Sequence, residues 1–282
     1  MLETFLKTLV PDSYDRITVA ERRTAMEAAL ARSTLRAGRW FESGSWSHGT
    51  SLKGHSDVDF MARATGPRPD RPSSALASLK TTLSGSHWAI TSLRISSPTV
   101  KIGFYSAPNF EVVPAWLAKT VGGDEVFWIP GPDDSWAESA PAAHLRFVTQ
   151  QNDRLSKKVK PLARLLKAWK VYTGAPVSSF YLEMRVAEYA KNERFIHYHT
   201  DLLLLMHRLI DYGVRSMNDP TGLVSRINAV SSEDNRRTTL RLLRAAVNHL
   251  ELARDLERTA EGPRYREAMR ALFGPSFPYP TR

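Results

Sequence analysis

Cysteine is absent from all 282 residues. That single absence excludes disulfides, thiolate zinc sites and cysteine nucleophiles together, and it suits a reducing compartment. No apolar run approaches the roughly 20 residues that a membrane-spanning helix needs, so no membrane partner is expected. The opening Met1-Leu2-Glu3-Thr4-Phe5-Leu6-Lys7 lacks a basic segment followed by a long apolar one, and no signal peptide is read there. A cytoplasmic location is the expectation. There is no internal repeat and no low-complexity tract. Acid is scarce relative to base: 39 Lys and Arg stand against 29 Asp and Glu, a formal charge of +10. A surplus of this size favours polyanionic partners such as nucleotides or nucleic acid. The densest basic clusters are Lys157-Lys158-Val159-Lys160 and Arg236-Arg237 through Arg241 and Arg244.

The pattern along the chain changes character near its middle. The spacing of Val19, Met26 and Leu30 predicts a long helix over 17–35, ended by Gly38. An extended segment over 39–43, a turn or short helix over 50–54 and a strand over 58–62 follow. A proline-rich loop over 66–72 leads to a helix over 73–83, with Ser73 or Ser74 as N-cap. Strands are expected over 88–95, 99–105 and 109–113; Val100, Ile102 and Phe104 alternate with Lys101 and Gly103, the period of a half-buried strand. After Pro141 the pattern is helical: 155–172, 179–190, 201–212 and 232–261, the last stopped by Gly262-Pro263. The expectation is an α+β protein, with a mixed-sheet unit over 1–135 and a helical unit over 136–282. Ile129 to Ala140, rich in Pro, Gly, Asp and Ser, reads as the hinge.

The most informative stretch is Gly44-Ser45-Trp46-Ser47-His48-Gly49-Thr50 followed by Ser56-Asp57-Val58-Asp59-Phe60. A Gly-Ser turn offers backbone N–H groups and a hydroxyl to phosphate oxygens. In a strand, residues i and i+2 point to one face, so Asp57 and Asp59 project side by side, close enough to share a divalent cation. A phosphate cradle beside paired carboxylates is what metal-assisted attack on a nucleoside triphosphate requires. Two-metal nucleotidyl transfer needs a third carboxylate from a neighbouring strand of the same sheet. Glu111, in Phe110-Glu111-Val112-Val113-Pro114, is the natural choice. His48 and His55 flank the candidate site and are read as loop histidines. His197-Tyr198-His199 has the spacing of a metal pair on a strand, but no second ligand pair accompanies it, and no structural metal is expected there.

Gly44-Ser45, 11 intervening residues and Asp57-Val58-Asp59 resemble the signature of the polymerase-β-like nucleotidyltransferases. Within that superfamily the chain resembles the cGAS/DncV-like nucleotidyltransferases, the bacterial cyclic-oligonucleotide synthases of anti-phage signalling, which are related to the 2′-5′-oligoadenylate synthetases. Further segments carry the likeness. Phe110-Glu111-Val112-Val113-Pro114-Ala115 is similar to the third-carboxylate strand, and Trp128-Ile129-Pro130 through Trp136 and Pro141 to the loop after it. Leu165-Leu166-Lys167-Ala168-Trp169-Lys170 and Ser179-Phe180-Tyr181-Leu182-Glu183 resemble two family helices. Leu272-Phe273-Gly274-Pro275-Ser276-Phe277-Pro278 resembles the family's C-terminal segment. The matches run from about residue 40 to 278.

The resemblance implies a polymerase-β-like nucleotidyltransferase core, a mixed twisted sheet with flanking helices, joined to a C-terminal helical domain so that the two lobes form a cleft. It implies NTP substrates, two Mg²⁺ ions on Asp57, Asp59 and Glu111, and a product that activates a separate effector. A monomer is the expectation, and a nucleic acid or a protein is a candidate activator. Gly44 and Ser45 would hold the β- and γ-phosphates, Lys167 would reach the triphosphate, Ser179 would hydrogen-bond the same phosphates, and Phe180 would stack on a base. One departure stands out: the third acid is Glu111 where the family usually has Asp. The extra methylene changes its reach by over an ångström unless the strand shifts, and points to Mn²⁺ as an alternative metal or to a weakened enzyme. Alternatives to a cyclic-oligonucleotide synthase are an RNA- or protein-modifying nucleotidyltransferase and a degenerate nucleotide or nucleic-acid sensor.

Overall fold

The computed structural model describes residues 1–33, 35, 37–259 and 261–279, without the side chains of 37–39 and 258. In chain order its elements are α1 (Leu2–Thr8), α2 (Ser13–Ala31), β1 (Ala37–Ser43), α3 (Gly44–His48), β2 (Val58–Ala64), α4 (Pro72–Leu83), β3 (Ile90–Ser96), β4 (Thr99–Phe104), β5 (Phe110–Val121), β6 (Asp124–Pro130), β7 (Trp136–Ser139), α5 (Pro141–Arg154), α6 (Val159–Thr173), α7 (Ser179–Ala190), α8 (Tyr198–Asp211), α9 (Glu233–Arg258) and α10 (Gly262–Phe273). They divide into two units: Pro11–Arg146 with Thr221–Ser225, and Met1–Val10 with Phe147–Pro220 and Arg226–Arg282. The division falls inside α5, whereas the expected one at 135/136 falls between β6 and β7.

In the first unit α2 starts on a reciprocal cap. The Asp12 carboxylate accepts from the Asp15 backbone N–H and the Asp15 carboxylate from that of Asp12, each at 3.0 Å, satisfying two helix-end donors. Val19, Met26 and Leu30 form the buried stripe, as their spacing predicts. The helix ends at Ala31, short of the expected Leu35. The Ser33 hydroxyl turns back onto the Leu30 carbonyl at 2.8 Å, which closes the last turn. Expected helix position 34 lies outside the described residues, and Gly38 belongs to β1.

The sheet runs β1-β2-β5-β4-β3, with β6 on the second half of β5 and β7 on β6. β2 and β5 are parallel; the other pairs are antiparallel. Alternation sorts the central pair by face. Val58, Phe60, Phe110 and Val112 join a core with Met26 and Leu30 of α2 and Leu76, Leu79 and Leu83 of α4. Met61, Val113, Ala115 and Phe127 form a smaller cluster. The region read as a hinge is instead a hairpin. Pro130 pairs with Trp136, and its turn is closed by Gly131 N–H to Ser135 O at 2.7 Å and Ser135 Oγ to Pro132 O at 2.6 Å. The same turn corrects the cap of α4. That helix begins on Pro72 with no side-chain cap from its own N-cap Arg71; the Asp134 carboxylate accepts from the Ser73 N–H (2.7 Å) and hydroxyl (2.9 Å).

Arg22 on α2 is buried although charged. Its guanidinium donates to the Ser106 and Pro108 carbonyls at 3.0 and 2.8 Å and to Ser106 Oγ at 2.8 Å, and lies 4.1 Å from the Phe104 ring centre. It therefore fixes the loop that delivers the chain into β5. Arg22→Met, which keeps the stem and removes the donors, is expected to cost about 2–4 kcal/mol. Urea denaturation measures this, and a loss below about 0.5 kcal/mol would be that of an ordinary surface change.

In the helical unit Phe5 of α1 packs on Phe273 and Phe277, with ring centres 5.0 and 5.1 Å apart. The first ten residues thus join the helical unit rather than the sheet unit assigned to them by chain order. α6 buries Leu162, Leu165, Leu166 and Trp169. α9 is capped by Ser232 Oγ, which accepts from Asn235 N–H at 3.2 Å, and Pro263 sits in the first turn of α10. His197 is the N-cap of α8, so His197-Tyr198-His199 opens a helix instead of lying on a strand. The lysine cluster is largely consumed internally: Lys157 pairs with Asp153, Lys158 donates to Ile196 O and Lys160 to Thr149 Oγ1. On α9, Arg241 and Arg244 are exposed. No described helix is long and apolar enough to cross a membrane.

Candidate active site

β1 ends at Ser43, and the chain turns at once into α3 through Gly44, whose φ is +59°. A Cβ at Gly44 would stand 2.0 Å from Asp59 Oδ2. Both the left-handed backbone and the closeness of that carboxylate require glycine here. The expected Gly-Ser turn is thus the start of a single helical turn, ended by Gly49 at φ +68°. Ser45 O accepts the Thr50 N–H at 2.8 Å. The return to β2 is tied down as well: Ser56 Oγ accepts from Leu52 N–H at 2.9 Å, and Val58 N–H donates to Asn109 O at 2.8 Å.

Register now assembles the acids. Ser43 lies opposite Asp59 across β1 and β2, Asp59 opposite Glu111 across β2 and β5, and Glu111 opposite Lys101 across β5 and β4. Residues directly opposite share a face, so Ser43, Asp59, Glu111 and Lys101 form one polar row across four strands. On β1, β2 and β5 the next same-face residues are Phe41, Met61 and Val113, which are apolar. Asp57 immediately precedes β2. Its carboxyl is pushed up by burial and then by the charge of Glu111, against the opposing effects of Lys101 and a hydrogen bond with Asn109. Asp57 and Glu111 are therefore electrostatic neighbours.

Glu111 has partners of its own. Lys101 Nζ lies 2.5 Å from Oε1, and Thr99 Oγ1 donates to Oε2 at 3.0 Å. Among the described residues no three Asp, Glu or His side chains are gathered as a ready-made ion site. The donor chemistry nonetheless suits a hard divalent cation: the groups are carboxylates, and the crowding of Asp57 by Glu111 is negative charge that a cation would relieve.

Lys167, Ser179 and Phe180 lie in the helical unit. Lys167 is almost fully buried, with Nζ 3.5 Å from Glu183 Oε2, which is equally buried. The lysine on Ser179 is Lys170, whose Nζ donates to Ser179 Oγ at 2.6 Å. Its ammonium is held below the usual lysine range by burial, then by the charge of Lys167. Ser179 opens α7, and Ser178 caps it, with Oγ accepting from Tyr181 N–H at 3.3 Å. Phe180 is half-buried. Sequence reasoning did not single out Thr99, Lys101, Asn109 or Lys170. Lys101 was visible as the polar member of an alternating strand, but only register puts it against Glu111.

The family model of the Second Messenger Oligonucleotide or Dinucleotide Synthetase domain (SMODS) matches residues 1–152. The chain belongs to this family. The matched segment holds Gly44, Ser45, Asp57, Asp59 and Glu111; Lys167, Ser179 and Phe180 lie beyond it. The SMODS assignment agrees with the fold, an α+β polymerase-β-like nucleotidyltransferase core with a helical C-terminal part, that of the cGAS/DncV-like nucleotidyltransferases. The CD-NTase CdnG of Bradyrhizobium diazoefficiens, solved with GTP, superposes with a TM-score of 0.77 at 15% identity, over 98% of this chain and 94% of that one. CdnC of E. coli MS115-1, solved with ATP, gives 0.75 at 18%, over 96% and 95%. DncV cyclic AMP-GMP synthase of Vibrio cholerae, solved with a linear pppA(3′,5′)pG intermediate, gives 0.77 at 12%, over 97% and 94%. At these identities the likeness is one of fold. No curated protein matches the chain at a significant level.

Proposed function

We propose that this SMODS protein is a nucleotidyltransferase that joins NTPs into a cyclic di- or trinucleotide, or a short oligonucleotide, acting as a second messenger. A ribose hydroxyl oxygen bonds to an α-phosphorus, the α–β phosphoanhydride bond breaks, pyrophosphate leaves with the electron pair, and the hydroxyl proton passes to solvent. The observation that carries this reading is the row of Asp59 and Glu111 in register on parallel strands, with Asp57 beside it and Gly44 against Asp59. Asp57 and Asp59 would hold Mg²⁺, with Glu111 as the third carboxylate and Mn²⁺ as the alternative ion. Such ions, when bound, neutralise triphosphate charge and lower the pKa of the attacking hydroxyl. The α3 turn, pinned at Ser45 and Thr50, would orient the phosphates. The protein would act in the cytoplasm as a monomer in anti-phage signalling, its product activating a separate effector. A protein regulator is consistent with the CdnC:HORMA complex solved for the E. coli relative.

The test is incubation of the full chain with all four NTPs and Mg²⁺ or Mn²⁺, followed by chromatography and mass spectrometry. A nuclease-sensitive oligonucleotide and pyrophosphate are expected. ATP or GTP binding without product under either metal would replace this reading by that of a degenerate sensor.

A further inference from the structure

The third acid of the row, Glu111, is held by partners of its own. Glu111 reaches across the β4–β5 pairing to a lysine directly opposite it. Lys101 Nζ takes one carboxylate oxygen at 2.5 Å and the Thr99 hydroxyl takes the other at 3.0 Å, so each oxygen has a donor supplied by the protein. Both side chains are partly buried, Glu111 more than Lys101 (20% and 34% exposed), so solvent screens the pair incompletely. Lys101 also acts electrostatically on Asp57, so the charge of one ammonium bears on two of the three acids. An ammonium so placed does two things: it balances carboxylate charge when no metal is present, and it repels a divalent cation approaching the same oxygens.

Resting on the transferase reading above, we propose that Lys101 is an internal counter-ion for Glu111, a positioning residue that holds the third carboxylate with Thr99 and competes with divalent cations for it. In the nucleotide-free protein the ion would then bind chiefly through Asp57 and Asp59, and Glu111 would be recruited only when Lys101 gives it up. The triphosphate of a bound NTP is an anion of the kind that could draw the ammonium away. Cation binding is thereby coupled to nucleotide binding.

The experiment is titration of the nucleotide-free full-length protein with Mn²⁺ alone, followed by electron paramagnetic resonance, for wild type, Lys101→Met and Lys101→Arg. Methionine keeps most of the stem volume and removes the charge. The expected result is that Lys101→Met tightens Mn²⁺ binding by about tenfold or more, while Lys101→Arg stays within about threefold of wild type, because the charge is retained. Far-UV circular dichroism and thermal melting establish that each protein is folded; should Lys101→Met be unfolded, Lys101→Gln replaces it in the same titration. Unchanged Mn²⁺ affinity on loss of the charge overturns the proposal, and so does equal tightening in the Arg and Met proteins. The readout is independent of turnover. Tightening without any oligonucleotide product would uphold the counter-ion and sink the transferase reading; product with unchanged Mn²⁺ affinity would do the reverse.

Discussion

Asp59→Asn is expected to lower nucleotide product formation by about a thousandfold or more while leaving the protein folded. The substitution keeps the side-chain shape, so its contacts with Gly44 and its place opposite Ser43 and Glu111 are retained. What it removes is one of the charges that, on the proposed reading, would hold a divalent cation next to a triphosphate. Stability should stay within about 0.5 kcal/mol of wild type or rise slightly, since a like charge is removed from beside Glu111. Product chromatography and thermal melting on one preparation check both halves. Turnover within about tenfold of wild type would mean that the polar row is not where the chemistry occurs.

Gly44→Ala is expected to damage both stability and activity, and a second glycine separates the causes. Gly44 and Gly54 both have left-handed backbones, at φ +59° and +73°. An added methyl at Gly54 meets nothing within 4 Å, whereas at Gly44 it would overlap Asp59 Oδ2 at 2.0 Å. Each substitution should cost about 1–2 kcal/mol for the backbone alone. Only Gly44→Ala must also displace the Asp59 carboxylate. Displacements of about 1 Å at a reacting centre cost on the order of a hundredfold in rate, so turnover should fall by about that factor in Gly44→Ala and hold in Gly54→Ala. If the two alanine proteins turn over alike, closeness to Asp59 is not why position 44 is glycine.

Much of this was legible because the signals are local. Alternation at Val100, Ile102 and Phe104 and helical spacing at Leu162, Leu165, Leu166 and Trp169 report burial directly, and the elements formed where these periods run. Ser179–Ala190 was bounded as expected because a cap and an apolar stripe agree there. The misses have a common cause. Proline, glycine and aspartate at 130–134 mark a turn, but they do not say whether the turn joins strands or domains, and the pairing of Pro130 with Trp136 made it a hairpin. The cap of α4 comes from Asp134, 61 residues away from Ser73. The helix over Leu2–Thr8 is held by aromatic contacts with the far end of the chain.

By itself the sequence determined the chemistry available to this protein. Without cysteine, the acid pair Asp57 and Asp59, a third acid at Glu111 and the glycine before Ser45 are an oxygen-donor site beside a tight turn, because side-chain type and strand period fix that much. Tertiary structure decided which groups meet. Parallel pairing of β2 with β5 set Asp59 against Glu111, and antiparallel pairing of β4 set Lys101 against the same carboxylate. Burial put Lys167 on Glu183 and left Ser179 to Lys170. Register and burial depend on contacts between residues far apart in the chain, and a shift of one residue in either strand would have turned that strand's member of the row to the opposite face.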